Sequence, residues 1–459
     1  MRPRPGQEIE IDVDRVAMEG RAVGRLDELV VFVEKALPGE RVRARVGRVK
    51  RNFVEARTVE VLRASPARVA GRCAHLDLCG GCSWQELDYE AQLDAKTDLV
   101  RESLERLGGF RGLDVPRTLA SPRTFFYRNK MEFSFFVGRE GGTVLGLHVP
   151  GTFDRVFDLD ACHLMSEESN AIVGRVRELA SRSGRPAYHS RRHEGFWRYL
   201  VVREAKNTGQ TMVNLVTHEG PLPNRDEFVR VLTGEFPAVK SLLRSINTRR
   251  ATIAVGETEE LLSGEPEIEE QLGSLRFRIA ANSFFQTNTL QAERLFDLAV
   301  DWCGLTGTEE VLDLYAGTGA ISLFLAQRAR RVTGIELVPD SVAMAEKNAQ
   351  LNGIDNTRFL TGEVRDFFKK RVGEASAARV VLVDPPRAGM HTDIVEALRL
   401  RQPPRIVYVS CNPATLARDL QLLCRDARYT LVRVQPIDMF PHTSHIECVA
   451  QLDLGGRTP

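Results

Sequence analysis

Apolar and polar positions alternate with period two through the first sixty residues. EIDVDRV, LVVFVEKA, ERVRARVGRV and FVEARTVEVL each read as a strand, separated by Gly, Pro and Asp signals. No helical period appears among them, and strands this short and closely spaced predict a small OB-like β-barrel over residues 1–64. Residues 65–275 read as a central α+β domain. It has a cysteine-rich stretch first, a helical run over 88–107, then strands and short helices from TFFYRNKMEFSF onward. From 276 to 459 the period switches back and forth between 2 and 3.6. EEVLDLY, RRVTGIEL, TRFLTGE, RVVLVDPP and RIVYVSC alternate with amphipathic helical stretches, and HIECVAQLDL adds a last strand. Repeated βα units of this kind predict an α/β, Rossmann-like, doubly wound, mostly parallel sheet.

Composition changes this picture little. The chain has 459 residues, 63 basic against 62 acidic, and a net charge of +1, so any nucleic-acid surface must be local. One local candidate is the third strand, where Arg41, Arg43 and Arg45 share a face by period-2 alternation. That face is either a solvated sheet surface or a groove that tracks an RNA backbone. The start MRPRPGQEIE has no apolar run behind its charges, and no stretch approaches the ~20 apolar residues of a membrane helix. A cytoplasmic protein without membrane contact is expected. Its eight cysteines then point to metal or catalysis rather than a disulfide framework.

DLYAGTGA (313–320) follows an apolar strand and opens a helix, with Gly317 and Gly319 allowing a tight turn and close ligand approach. Glu336 ends the next strand, where a carboxylate can accept both ribose hydroxyls. Asp384, in VDPPRAG, lies at the carboxyl end of a third strand. Three such pieces on successive strands describe a nucleotide-like cofactor site. S-adenosylmethionine fits it better than NAD, because the loop lacks the third Gly of G-x-G-x-x-G.

Cys411, in VYVSCNPATLARDL, sits at a strand-to-helix junction with Asn412 as N-cap and Pro413 as the first helical residue. The helix N-terminus should lower its pKa and favour the thiolate. Cys303, Cys424 and Cys448 read instead as small buried hydrophobes. Glu447, in SHIECVA, is a candidate general base. CAHLDLCGGC supplies Cys73, Cys79 and Cys82, and Cys162 is the remaining cysteine of the central region. Four thiolates suit zinc or an iron–sulfur cluster, and His75 or His163 could also complete a zinc site.

SFFQTN (283–288), DLYAGTG, IELVPDSV, VDPPRAG, SCNP and HIECV, in this order, resemble the RNA uracil-5 methyltransferase family along most of the chain, and the N-terminal unit resembles the TRAM RNA-binding domain. The resemblance implies that Gln286, Tyr315, Glu336 and Asp384 bind S-adenosylmethionine, that Cys411 is the nucleophile and that Glu447 is the base. It also implies a 4Fe-4S cluster on Cys73, Cys79, Cys82 and Cys162. Ala320 departs from members that carry an Asn there. The product implied is 5-methyluridine in RNA, with bacterial 23S ribosomal RNA as the expected partner and a monomeric enzyme. The alternatives are a uridine in the transfer-RNA T-loop and a non-catalytic RNA-binding ribosome-assembly protein. Tyr127, Arg128, Lys130, Trp197 and Arg198 are either candidate RNA contacts or ordinary strand residues. A TRAM-containing radical enzyme is excluded by the C-x5-C-x2-C spacing and by the N-terminal position of the barrel.

Overall fold

The computed structural model describes residues 2–455 apart from 18–19, 139–140, 153, 371–372 and 374–376. The chain divides into two compact units: Met1–Arg72, Gly81–Ser121 and Arg379–Pro459 form one, and Cys73–Gly80 with Pro122–Ala378 the other.

The first unit begins with a closed barrel of β1 (Glu8–Val16), β2 (Ala22–Leu26), β3 (Leu29–Glu34), β4 (Arg41–Val49) and β5 (Phe53–Arg63), in the order β1-β2-β3-β5-β4. The period-2 pattern is the reason it closes. Ile9, Ile11, Val13, Val31, Val33, Val42, Ala44, Val46 and Val54 all point inward and fill the core. The outward arginines of β4 do not offer a bare cationic face. Arg41 pairs with Glu10 and Asp12, Arg43 with Glu10 and Glu60, and Arg45 with Glu8. The face is solvated and its charges are paired with acidic neighbours.

Helix α1 (Tyr89–Arg106) is capped by Asp88, whose carboxylate accepts from the Glu90 and Ala91 amides. Its Leu99 packs with Trp84, Leu87, Val16 and Leu37.

The second unit holds β6 (Lys130–Val137), β7 (Thr143–His148), β8 (Val156–Asp158), β9 (Trp197–Ala205), β10 (Gln210–Thr217), β11 (Val239–Ile246) and β12 (Thr258–Gly264). They form a seven-stranded sheet in the order β12-β11-β10-β9-β6-β7-β8. Only β10 and β11 run parallel; the other pairs are antiparallel. Two helices, α2 (Glu167–Arg182) and α3 (Arg225–Glu235), supply Ile172, Val176, Phe228 and Leu232 to its core. A hairpin, β13 (Ile268–Leu272) with β14 (Leu275–Ile279), leads into α4 (Thr289–Cys303). The βα pattern then appears as expected. β15 (Glu310–Leu314), α5 (Ala320–Ala326), β16 (Arg331–Glu336), α6 (Pro339–Leu351) and β17 (Thr357–Thr361) follow, with the three strands parallel.

The chain returns to the first unit with β18 (Val380–Val383), β19 (Arg405–Ser410), β20 (Tyr429–Ile437) and β21 (Glu447–Leu454). β18 and β19 are parallel, whereas β21 lies antiparallel between β19 and β20. The mixed end of the sheet was not foreseen in detail, because its two last strands are joined by a loop rather than by a crossover helix.

Candidate active site

In the second unit the DLYAGTG turn is built by backbone geometry. Tyr315, Gly317 and Gly319 all have positive φ (72°, 55° and 81°). For Tyr315 this is a sparsely populated conformation, of the kind retained where the surroundings over-determine it. The Tyr315 and Ala316 amides both donate to the Ile335 carbonyl at 3.0 Å. A Cβ at Gly319 would stand 2.9 Å from the Ala345 side chain, so only glycine lets α5 start there. Glu336 is oriented by two backbone donors, Gly317 N–H at 3.0 Å and Val338 N–H at 2.8 Å. Asp313, buried beneath the turn, accepts from Ser322 Oγ at 2.5 Å. Burial pushes its carboxyl up to about 6; the Ser322 hydrogen bond opposes the shift and nearby Glu336 adds to it.

The segment carrying Gln286 joins this turn. Thr318 Oγ1 donates to the Phe284 carbonyl at 3.3 Å, and Asn129 Nδ2 donates to the Gln286 carbonyl at 2.8 Å. Gln286, Tyr315 and Glu336, far apart in sequence, thus stand on hydrogen-bonded neighbouring segments. Phe284 is 66% exposed beside them, an unusual state for a large aromatic side chain. The sequence showed it only as part of SFFQTN.

In the first unit, Cys411 follows β19 directly. Asn412 Oδ1 caps the next helix (Pro413–Cys424) by accepting from the Ala414 amide at 3.0 Å, as its position suggested. β19 and β21 pair with Ser410 opposite Cys448. The residues next to that last pair are Cys411 and Glu447, the first residue of β21, and the Glu447 charge acts on the Cys411 thiol. The VDPPRAG loop is tied to the same corner. Asn412 Nδ2 and Thr415 Oγ1 donate to the Arg387 carbonyl at 3.1 and 3.2 Å, and the Arg387 guanidinium lies 3.2 Å from His445 Nδ1.

The electrostatics of this corner correct one expectation. Cys411 does sit at a helix N-terminus, yet its thiol is pushed up to about 11, first by burial and then by the charges of Glu447 and Asp384; Arg387 pulls the other way. Glu447 is fully enclosed and raised well above the ordinary carboxylate range by burial, and by Asp384, again opposed by Arg387. Desolvation and two carboxylates outweigh the partial charge of one helix end. Asp384 therefore acts on Cys411 and Glu447 directly. Arg387 and His445 are the polar residues of this corner that sequence reading passed over, although both lay inside motifs it had singled out. Cys448 and Cys303 are buried, while Cys424 is partly so.

Cys73, Cys79 and Cys162 share the second unit. Burial raises the Cys162 thiol, and Cys79 and Cys73 add to that shift, so the three lie in one field. The Cys79 amide donates to the His75 carbonyl at 2.7 Å, closing the turn before Gly80. A Cβ at Gly80 would come 2.8 Å from Pro150. His75 Nε2 accepts from the Asp160 amide at 3.1 Å. Among the described residues no three His, Cys, Asp or Glu side chains are gathered tightly enough to hold a metal ion as they stand.

Of the suggested RNA contacts, Tyr127, ahead of β6, and Trp197 and Arg198 on β9 are buried, whereas Arg128 and Lys130 are half-buried, Lys130 pairing with Glu132 at 2.7 Å. β9 is buried along most of its length, which a single strand's pattern could not reveal. No described helix is long and apolar enough to cross a membrane.

Residues 265–454 match the tRNA (uracil-5-)-methyltransferase family, and residues 2–59 match the TRAM domain. The chain is 39% identical over 447 residues to an RNA methyltransferase of Halalkalibacterium halodurans, covering 97% of each. It is 41% identical over 462 residues to one of Porphyromonas gingivalis, covering 96% of this chain and 99% of the relative. Among solved structures, Pyrococcus abyssi tRNA (uracil-54, C5)-methyltransferase in complex with S-adenosyl-L-homocysteine is similar with a TM-score of 0.77. The two are 31% identical, over 96% of this chain and 99% of that one.

Proposed function

Because the chain belongs to the RNA (uracil-5-)-methyltransferase family, we propose that it methylates C5 of a uridine in RNA with S-adenosylmethionine as methyl donor. The observation that carries this reading is the shared field of Cys411 and Glu447, next to the paired Ser410 and Cys448, with Asp384 and Arg387 acting on both. C5 of uracil is a weak nucleophile. Cys411 Sγ adds to C6, and the electrons of the 5,6 double bond move toward O4, leaving an enolate that is nucleophilic at C5. C5 attacks the donor methyl in line, and the departing sulfur keeps the electrons of the broken bond as S-adenosylhomocysteine. Glu447 takes the C5 proton, the double bond re-forms and Cys411 leaves as thiolate. The uracil must be out of its stack for Cys411 to reach it. Arg387 favours the charged forms of both Cys411 and Glu447.

Gln286, Tyr315, Glu336 and Asp384 are the residues we assign to the donor. The two backbone hydrogen bonds that orient Glu336, and the S-adenosyl-L-homocysteine in the Pyrococcus abyssi relative, support that assignment. Cys73, Cys79, Cys82 and Cys162 would hold a 4Fe-4S cluster. Four thiolates are its usual donor set, and the shared field of Cys162, Cys79 and Cys73 fits it. Methyl transfer moves no electrons, so these cysteines would shape the central segment and its RNA surface. The working division is a TRAM segment over 1–64, a cluster segment over 65–275 and a methyltransferase segment over 276–459, in a monomeric cytoplasmic enzyme.

Large-subunit 23S ribosomal RNA is the proposed substrate, supported by the combination of four cysteines with an N-terminal TRAM domain. The likeness to the Pyrococcus abyssi enzyme favours a second reading, the T-loop of transfer RNA. Incubating the protein with RNA carrying 5-fluorouridine tests the chemistry. A covalent adduct that Cys411→Ala abolishes is expected; no adduct would overturn the reading. Mass-spectrometric mapping of 5-methyluridine in ribosomal and transfer RNA from a deletion strain decides the substrate.

A further inference from the structure

Strand β9 carries two buried arginines that are committed to loop carbonyls. Arg198 is 3% exposed. Its guanidinium donates to the carbonyls of Asn247 at 2.8 Å, Arg249 at 2.7 Å and Ala251 at 2.8 Å, all in the 247–257 loop between β11 and β12. The same guanidinium lies 4.1 Å from the Tyr188 ring centroid, and that ring stacks on His218 at 5.8 Å. Arg203 donates to the carbonyls of Ala281 and Ser283 at 3.3 and 2.7 Å, fixing the backbone that leads into Phe284.

The 247–257 loop is held from within as well. Asn247, fully buried, donates to the Ile253 carbonyl at 2.8 Å and accepts from the Arg249 amide at 3.0 Å. Glu257 accepts from the Thr248 amide at 2.7 Å. Burying a guanidinium costs free energy, and here that cost serves an exposed loop rather than the core. A loop made rigid in this way is pre-organised to present its outer side chains. Those are Arg249 and Arg250, both exposed, with Ile253 at 40% and Val255 at 38% exposure. Arg249 shares Glu257 at 3.4 Å, while Arg250 makes no ion pair among the described residues. The loop also abuts the Phe284 segment, because Asn282 Nδ2 donates to Glu259 Oε1, just past the loop, at 2.7 Å.

We infer that the 247–257 loop is an RNA grip, in which Arg249 and Arg250 take phosphates of the substrate RNA and Ile253 and Val255 lie against its sugars or bases. Guanidiniums match phosphate geometry, and two of them on a fixed backbone hold a register that flexible side chains would not. This inference rests on the RNA reading given above and adds a surface that holds the RNA.

The test uses the full-length protein and a fluorescein-labelled 20-nucleotide oligouridine, with anisotropy measured across a salt series. Arg249→Ala/Arg250→Ala should weaken binding about tenfold and flatten the plot of log affinity against log salt by about 1.4, the value for two single-strand phosphate contacts. S-adenosylhomocysteine binding and the thermal midpoint should stay at wild-type values. Arg198→Met should weaken RNA binding while Arg249 and Arg250 remain in the chain, as expected if it positions the loop. Unchanged affinity and slope in the double variant would overturn the inference. So would normal oligouridine binding combined with lost methylation only on protein-bearing ribosomal particles, which would make the loop a protein contact. If the wild-type protein neither binds nor methylates RNA, the RNA reading itself fails, and the two failures are distinct.

Discussion

Lys96 donates to Asp438 Oδ1 at 2.5 Å, and neither side chain has any exposed surface. Lys96 also donates to the Phe440 carbonyl at 3.0 Å, and Tyr89 donates to Asp438 Oδ2 at 2.8 Å. Two turns of α1 therefore grip the loop that joins β20 to β21. Gln92 adds to the grip by accepting from the His442 amide at 2.8 Å, where the backbone has a positive φ of 67°. Asp438 follows Ile437, whose partner in the sheet is Glu447. A buried ion pair thus fixes the entry to the strand that begins with the candidate base.

Removing one partner of such a pair leaves a buried charge without compensation. Lys96→Met is expected to lower stability by roughly 3–5 kcal/mol, and Lys96→Met/Asp438→Asn to recover part of that loss. Urea denaturation followed by far-UV circular dichroism measures both. A single variant with the wild-type midpoint would show that the pair does not hold this loop.

The Cys411 thiol, raised to about 11, should be unreactive in the free protein at neutral pH. Since the thiol form dominates below that value, alkylation by iodoacetamide should accelerate with rising pH, by about tenfold per unit. Asp384 raises this pKa, so Asp384→Asn should react faster than wild type at pH 8. Equal rates in the two proteins would remove Asp384 from the field of the thiol.

Glu447→Gln deprives the adduct of its base. Turnover should fall by about 10²–10⁴, while methylated RNA remains covalently attached to the protein. Gel electrophoresis under denaturing conditions detects the attachment. Loss of turnover without a trapped adduct would argue that Glu447 acts before methyl transfer.

Glu336→Ala removes the acceptor for the Gly317 and Val338 amides and the proposed ribose contact. Each hydrogen bond to a charged group contributes about 1.5–3 kcal/mol. S-adenosylhomocysteine affinity should drop by at least about tenfold in isothermal titration calorimetry. Unaltered affinity would move the donor elsewhere.

Cys162→Ser tests the cluster. Anaerobically purified wild-type protein should contain about four irons and absorb near the visible thiolate-to-iron band, and the variant should lose both. Wild-type protein with zinc or no metal would refute the iron–sulfur assignment.

Local pattern carried much of this protein. The alternation in EIDVDRV predicted a barrel strand, the run from Glu310 to Leu314 predicted an apolar strand, and Asn412 with Pro413 predicted a helix start beside Cys411. These depend on neighbours within a few residues, so the chain itself encodes them. What lay beyond sequence was every relationship set by strand register and burial. The order β19-β21-β20 brought Glu447 into the field of Cys411, and burial, with the charges of Glu447 and Asp384, reversed the expected acidity of the thiol. Neighbouring strands decided that Arg41, Arg43 and Arg45 would pair with acidic side chains and that Arg198 would turn inward to hold a loop. Coulomb and desolvation energies depend on distances between groups far apart in the chain, and only the folded backbone sets those distances.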